Sequence, residues 1–341
     1  MSPVEKQREG VEEMKTGILA GLAVMVALGA WGWAWGQEAP VTRPTPTVET
    51  AEPGETGEEP QVVQVGVYIL SIGKFDIGTG GFTVDFYLSL KSDKEIPETW
   101  EFMNGRGNLE KIIDKPTEKF YRVLANLNSK IDLKKFPFDT QRLQVIIEDK
   151  VKTTAELVYV PEKDDQGKEQ SDLDASVVFP GWQITGWTTR VSEHEYPVYG
   201  ERYSQYQFDV DITRIKMNSF LKTFLPVLFL MLIMTSSFIL NPDAIVTRLA
   251  TISSSLVASV MFHLAIANQV PPVGYLTFAD KFMVLTYLIL LLSFFLNIGV
   301  FMYQSRGDAG KEKAKKLSKL CEKLVFIGVP VLYLGLFLFV R

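Results

Sequence analysis

Four apolar runs follow one another near the C-terminus, Phe220–Leu240, Leu249–Val270, Phe282–Tyr303 and Leu324–Val340, each 17 to 22 residues long. A helix rises about 1.5 Å per residue, so each run can cross about 30 Å of hydrocarbon once and is too short to cross it twice. Residues 216–341 are therefore expected to form a four-helix transmembrane domain, with helices at about 217–240, 244–270, 280–304 and 321–340. Arg306, Lys311, Lys313, Lys315, Lys316 and Lys319 fall in the loop 305–320, and short basic loops stay in the cytoplasm. Counting the crossings back from that loop puts the preceding residues outside the cell or in the periplasm, with the chain multi-pass in the inner or plasma membrane.

The N-terminus agrees with that topology. Lys6, Arg8 and Lys15 precede an apolar run from Ile18 to Ala30, and Ala34-Trp35-Gly36 supplies small residues for cleavage. Residues 1–36 read as a removed signal peptide, the alternative being an uncleaved anchor with Trp31, Trp33 and Trp35 at a membrane interface. Residues 37–61 are almost only Glu, Pro, Thr and small residues, a composition expected to give a disordered acidic tether. From 62 to 215 apolar and polar residues alternate in short runs bounded by Gly, Pro, Asn and Asp, as in Val65, Val67, Ile69 and Phe82, Val84, Phe86, Leu88. That period of two predicts an all-β immunoglobulin-like sandwich, and a soluble lectin-like module would read the same.

Charge separates the halves. Residues 37–213 hold 19 Lys/Arg against 31 Asp/Glu, and residues 214–341 hold 13 against five. The acidic half has no basic stripe with interleaved aromatics, which argues against a nucleic-acid partner. The single Cys321 excludes an intrachain disulfide, and with only His194 and His263 there is no Cys/His cluster for zinc, so no cofactor is expected. No Ser/His/Asp, paired-carboxylate or glycine-loop constellation marks the exported half as an enzyme.

The second membrane run differs from the other three. Ala250, Ser254, Val257, Met261, Leu264 and Asn268 are spaced 4, 3, 4, 3, 4, which places them on one helical face. Small polar side chains suit a wet lumen, and the apolar ring of Val257, Met261 and Leu264 can gate by dewetting. The other reading is that Ser253, Ser254 and Ser255 are close-packing residues between helices. One such helix cannot enclose a pore, so a pore implies a cyclic homo-oligomer.

Several motifs in order resemble a family. Lys135-Phe136-Pro137-Phe138-Asp139-Thr140-Gln141 is followed by Gly181-Trp182, Tyr206-Gln207-Phe208, Arg214, and Leu225-Pro226 in the first membrane run. Arg248-Leu249 opens the second run, and Asn268-Gln269-Val270-Pro271 with Tyr275 and Thr277 follows it. Over residues 62–341 the chain resembles the prokaryotic pentameric ligand-gated ion channels, the disulfide-free members of the Cys-loop receptor superfamily. Two departures stand out. The span from Leu90 to Phe136 is too short for all the usual strands, and no carboxylate directly precedes Arg248, leaving Asp243 as the nearest acid.

The resemblance implies a homopentamer in a lipid bilayer that passes monovalent cations and opens to an extracellular small-molecule agonist or to protons. Asp76, Asp139 and Arg214, with Pro271, correspond to the family's coupling cluster, the alternative for the three charges being a solvated ion pair worth at most about 1 kcal/mol. The agonist site corresponds to the loop Ser192–Ser204, where Tyr196, Tyr199, Tyr203, Glu193 and Glu195, with Phe179 from a preceding loop, offer aromatic faces and acids to an ammonium, or stand as ordinary loop tyrosines. His194 titrates near neutral pH and is a candidate proton reader, and His263 is expected to lie off the pore stripe and bond between helices. Trp182 and Trp187 are expected in the sandwich core. Arg248 is expected to point away from the pore axis. The competing readings are a non-conducting membrane-anchored sensory protein and an exported enzyme domain on a membrane anchor.

Overall fold

The computed structural model describes residues 47–48 and 59–339, so the expected signal peptide and most of the expected tether lie outside the described residues. Contacts divide the described residues into two units: one holds those up to Asp132 together with Thr140–Arg214, the other Leu133–Asp139 together with those from Ile215 onward.

The first unit is a sandwich of two sheets. Its strands are β1 (Thr47–Val48), β2 (Gln61–Asp76), β3 (Gly81–Ser92), β4 (Trp100–Phe102), β5 (Gly105–Asp114), β6 (Glu118–Asn128), β7 (Thr140–Asp149), β8 (Leu157–Pro161), β9 (Asp172–Leu173), β10 (Trp182–Tyr196) and β11 (Glu201–Arg214). One sheet runs β1-β10-β11-β7-β4, the other β5-β6-β3-β2-β8 with β9 beside β2. Alternate residues of β2, β3, β6, β7 and β11 meet between the sheets, among them Val67, Phe86, Val123, Ile147 and Phe208, all buried. Trp182 and Trp187 pack partly buried against that core. Removing one such ring, as in Phe208→Ala, costs about 3–5 kcal/mol.

Two sequence expectations need correction here. The short span between Leu90 and Phe136 holds three strands, of which β4 is reduced to three residues and β5 is full length. β5 escapes a period-two reading because it is an edge strand whose side chains are nearly all exposed, with Arg106, Glu110 and Lys111 facing water. Gly105 lets it lie close: a Cβ there would stand 2.2 Å from the Asn126 carbonyl oxygen. Within the expected tether, Thr47 and Val48, both β-branched, pair in parallel with Arg190 and Val191.

The second unit is helical: α1 (Lys216–Thr223), α2 (Leu225–Ser236), α3 (Ile245–Ala267), α4 (Phe278–Gln304) and α5 (Asp308–Phe339), with 3₁₀ turns at Ser237–Ile239 and Pro242–Ala244 before α3. Among the described residues three helices are long and apolar enough to cross a membrane, within Pro242–Ala267, Phe278–Gln304 and Ala309–Leu338, or four if the bent pair Lys216–Thr223 and Leu225–Ile239 is one span, and the chain is a multi-pass membrane protein. The expected first helix is two pieces bent by 42° at Phe224, because Pro226 has no N–H to continue the ladder. The last helix starts at Asp308, so most of the expected loop 305–320 is helix. Its lysines alternate with Ala, Leu and Glu, all good helix formers, and Glu312 pairs with Lys316 at 2.9 Å one turn on. The outer faces of α4 and α5 stay greasy: Leu288, Leu292, Phe295, Ile327 and Val331 are exposed, a surface suited to lipid or to another copy of the chain.

Candidate functional site

The segment Leu133–Asp139 is held by the helices. Phe278 N–H donates to the Lys134 carbonyl at 2.9 Å and Ala279 N–H to the Phe136 carbonyl at 3.1 Å. First-turn N–H groups have no acceptor inside their own helix, so the loop's carbonyls complete the start of α4. Leu133 N–H donates to the Tyr275 hydroxyl at 2.9 Å. The Phe136–Pro137 peptide is cis. Beyond it the Phe138 ring lies 5.7 Å from Phe224, 6.0 Å from Phe278 and 6.4 Å from Phe337. The loop thus grips the α1/α2 break, the start of α4 and the end of α5. Pro271 lies half-buried in the α3–α4 connection, four residues before Tyr275.

The six residues expected on one face of α3 share an exposed face. Ala250, Ser254, Val257, Met261, Leu264 and Asn268 are all exposed in the single chain, with Val257 at 65% and Met261 at 63%. The opposite face is buried through Ile245, Arg248, Ile252, Ser255, Ser259 and Ile266. The serines divide accordingly: Ser255 and Ser259 bond back to the Thr251 and Leu256 carbonyls, while Ser253 and Ser254 face outward. Arg248 is 1% exposed. Its guanidinium donates to Asn297 of α4 at 3.4 Å, to Ser318 of α5 at 3.0 Å, and to the Phe238 and Leu240 carbonyls. Its charge is therefore spent inside the bundle, away from the exposed face. Asp243 is exposed and accepts from Gln304.

His263 lies between α3 and α4 as the spacing predicts. Its Nε2 is 3.1 Å from Asp280 Oδ1, where the carboxylate can only accept, which leaves Nδ1 of the neutral ring to accept from the Tyr287 hydroxyl at 2.9 Å. Asp280 also receives the Thr277 N–H and hydroxyl, both at 2.8 Å, closing a capping box at the start of α4.

The β10–β11 hairpin carries a third cluster. Tyr196, His194, Tyr203 and Gln205 project from one face of the ribbon, since His194 pairs with Tyr203 and side chains alternate along each strand. β7 adds Glu148, paired with Gln205. Glu148 is 2% exposed and receives three hydrogen bonds: His194 Nδ1 at 2.8 Å, the Tyr196 hydroxyl at 2.9 Å and Gln205 Nε2 at 2.9 Å. Burial first, then the bond to Glu148, pushes the Tyr196 phenol up to about 12, so it stays a donor across the physiological range. Tyr203 donates to Glu201 at 2.8 Å, a bond that raises its phenol too, and stands edge-on to Tyr196 with centroids 5.4 Å apart.

Several expected ligand residues fall elsewhere. Glu193 and Glu195 sit on the opposite face of the ribbon, where Arg202 approaches them at 3.6 and 3.9 Å. Phe179 is 5% exposed and packs on Phe75 in the core, beside Trp182 at the far end of β10 from Tyr196. Only Tyr199, 74% exposed at the tip, is free to close on a ligand from the loop itself. Glu148 is the residue the sequence reading missed: nothing in Ile146-Ile147-Glu148-Asp149 announces a buried acceptor.

Asp76 is exposed and closes its own turn, accepting from Gly78 N–H at 2.9 Å and the Thr79 hydroxyl at 3.0 Å. Those bonds, the amide first, hold its carboxyl below the ordinary aspartate value. The Arg214 guanidinium lies 4.5 Å above the Trp182 ring. Asp139 is buried at the end of the docked loop.

No family model matches this sequence. Among curated proteins it is similar to the proton-gated ion channel of Gloeobacter violaceus, with 21% identity over 282 residues, 74% of each chain.

Proposed function

We propose that the protein is a ligand-gated cation channel, assembled as a homopentamer in a cell membrane with its sandwich outside, whose pore is lined by α3. The observation that carries this is the continuous exposed face of α3 from Ala250 to Asn268, on a helix whose other face is packed against its own bundle. In this reading Val257, Met261 and Leu264 form the closed constriction, where hydrated ions would lose water without compensation. Arg248 is turned into the bundle, and Asp243 lies exposed in the turn just before the same end of that helix.

Acidification is the stimulus, read at the hairpin. Protonating His194 turns its bond to the buried Glu148 into an ion pair, tightening β10 against β7. The relative's proton gating supports this, as does the direct bond between His194 and the buried Glu148. Coupling runs through Asp139, Arg214 and Pro271 to the loop that closes the start of α4. Recording reconstituted protein while stepping from neutral to acid pH tests the function. Currents that appear on acidification and reverse with it are expected. A bilayer that stays silent to protons and to an amine panel would leave a non-conducting sensor as the reading.

A further inference from the structure

Of the methionines among the described residues, Met231, Met234 and Met283 are buried, and Met103 and Met217 are half-buried. Two are exposed: Met261 at 63%, on the open face of α3, and Met302 at 54%, in the last turn of α4. Met261 lies one turn beyond Val257 and three residues, about 4.5 Å along the axis, short of Leu264. The other residues of that face end in hydrocarbon, hydroxyl or amide groups, so its thioether is the one sulfur there. Cys321, the chain's single thiol, is 1% exposed and shielded within the bundle. Among the described residues, well-exposed sulfur therefore stands at two places, and one of them is the proposed constriction.

A thioether reacts with a peroxide without first losing a proton. A lone pair on Met261 Sδ attacks one oxygen of hydrogen peroxide; the S–O bond forms as the O–O bond breaks, and the proton on the transferred oxygen passes to the departing hydroxide, which leaves as water. Sulfur is oxidised by two electrons and the peroxide is reduced. The product replaces a flexible apolar side chain with a polar one. An apolar ring keeps water out because nothing on it offers a hydrogen bond, and a sulfoxide oxygen on each copy supplies acceptors where there were none. Val257 and Leu264 on either side are hydrocarbon and stay unchanged, so the chemistry falls on the middle residue of the three.

We infer that Met261 is an oxidation site through which a peroxide opens the constriction without acid, an inference that rests on α3 lining the pore. The test treats full-length protein in liposomes with hydrogen peroxide at neutral pH, locates the added oxygen by peptide mass, and records current from the same preparation before and after. Wild type is expected to gain sulfoxide at Met261 and to show resting current raised about tenfold or more. Met261→Leu, which keeps the volume and loses the sulfur, should stay closed after peroxide, and Met261→Gln should carry resting current before any is added. Met302→Leu should respond as wild type does. Met261 left unoxidised at a dose that oxidises Met302, resting current unchanged once Met261 is oxidised, a wild-type response from Met261→Leu, or a Met261→Gln closed at rest would overturn the assignment. Acid steps on the untreated protein separate the two readings. Acid-evoked current together with any of those outcomes removes the oxidation site alone, whereas silence to acid, to amines and to peroxide with Met261 oxidised removes the pore as well.

Discussion

Glu148 gathers an imidazole, a phenol and an amide around one buried carboxylate, and of these donors the imidazole is the one that can gain a proton and become a cation. His194→Gln should therefore move the midpoint of acid activation by about one pH unit or more, or abolish it, in current-versus-pH curves. Asp76 provides the control. Its carboxyl is depressed in the fold, so the turn's stabilisation is present above the ordinary aspartate value and is lost only as pH falls through the lower folded one. It stays ionised throughout the imidazole range, and Asp76→Asn should leave the midpoint unchanged. The hairpin tyrosines were legible in the sequence as a loop rich in rings. Which acids share their face was not, because that depends on the register of three strands, and parity sets Glu193 and Glu195 on the other side.

Helix periodicity made α3 the most legible element, since its face needs only spacings of three and four within one segment. If that face lines the pore, Val257→Ser wets the constriction and should give resting current without acid; an unchanged closed state in bilayer recordings would count against the gate. Less legible was how the elements terminate: the break at Phe224 and the long α5 depend on what packs there. Phe224 is fully buried and ringed by Phe138, Phe220, Phe278, Phe282 and Phe337 at 4.6 to 5.9 Å. Phe138→Ala removes the docked loop's ring from that cluster, and a loss of about 3 kcal/mol is expected. Thermal unfolding in detergent should register it, and acid-evoked current should fall before assembly does.

At the scale of the whole molecule the charge balance of the two halves argues selectivity. In the proposed channel, an acidic half outside the membrane would concentrate cations near the pore entrance over about 8 Å at physiological salt. A reversal potential in a NaCl gradient near the sodium value is expected, and one at the chloride value would overturn the cation assignment while leaving the channel. Arg214→Ala is expected to reach the membrane as pentamers, seen by native mass measurement, and to lose acid-evoked current; wild-type currents would remove Arg214 from coupling. One topological fact has a practical side. Because Leu133–Asp139 belongs with the helices while the residues on both sides of it belong with the sandwich, the backbone passes between the units three times among the described residues. No single cut separates them: a sandwich produced alone would carry Phe138 without the rings of Phe224, Phe278 and Phe337 that it packs on, and would be prone to aggregate. A chimaera that trades receptor halves with a relative must therefore exchange two stretches of sequence, the seven-residue loop together with everything after Arg214.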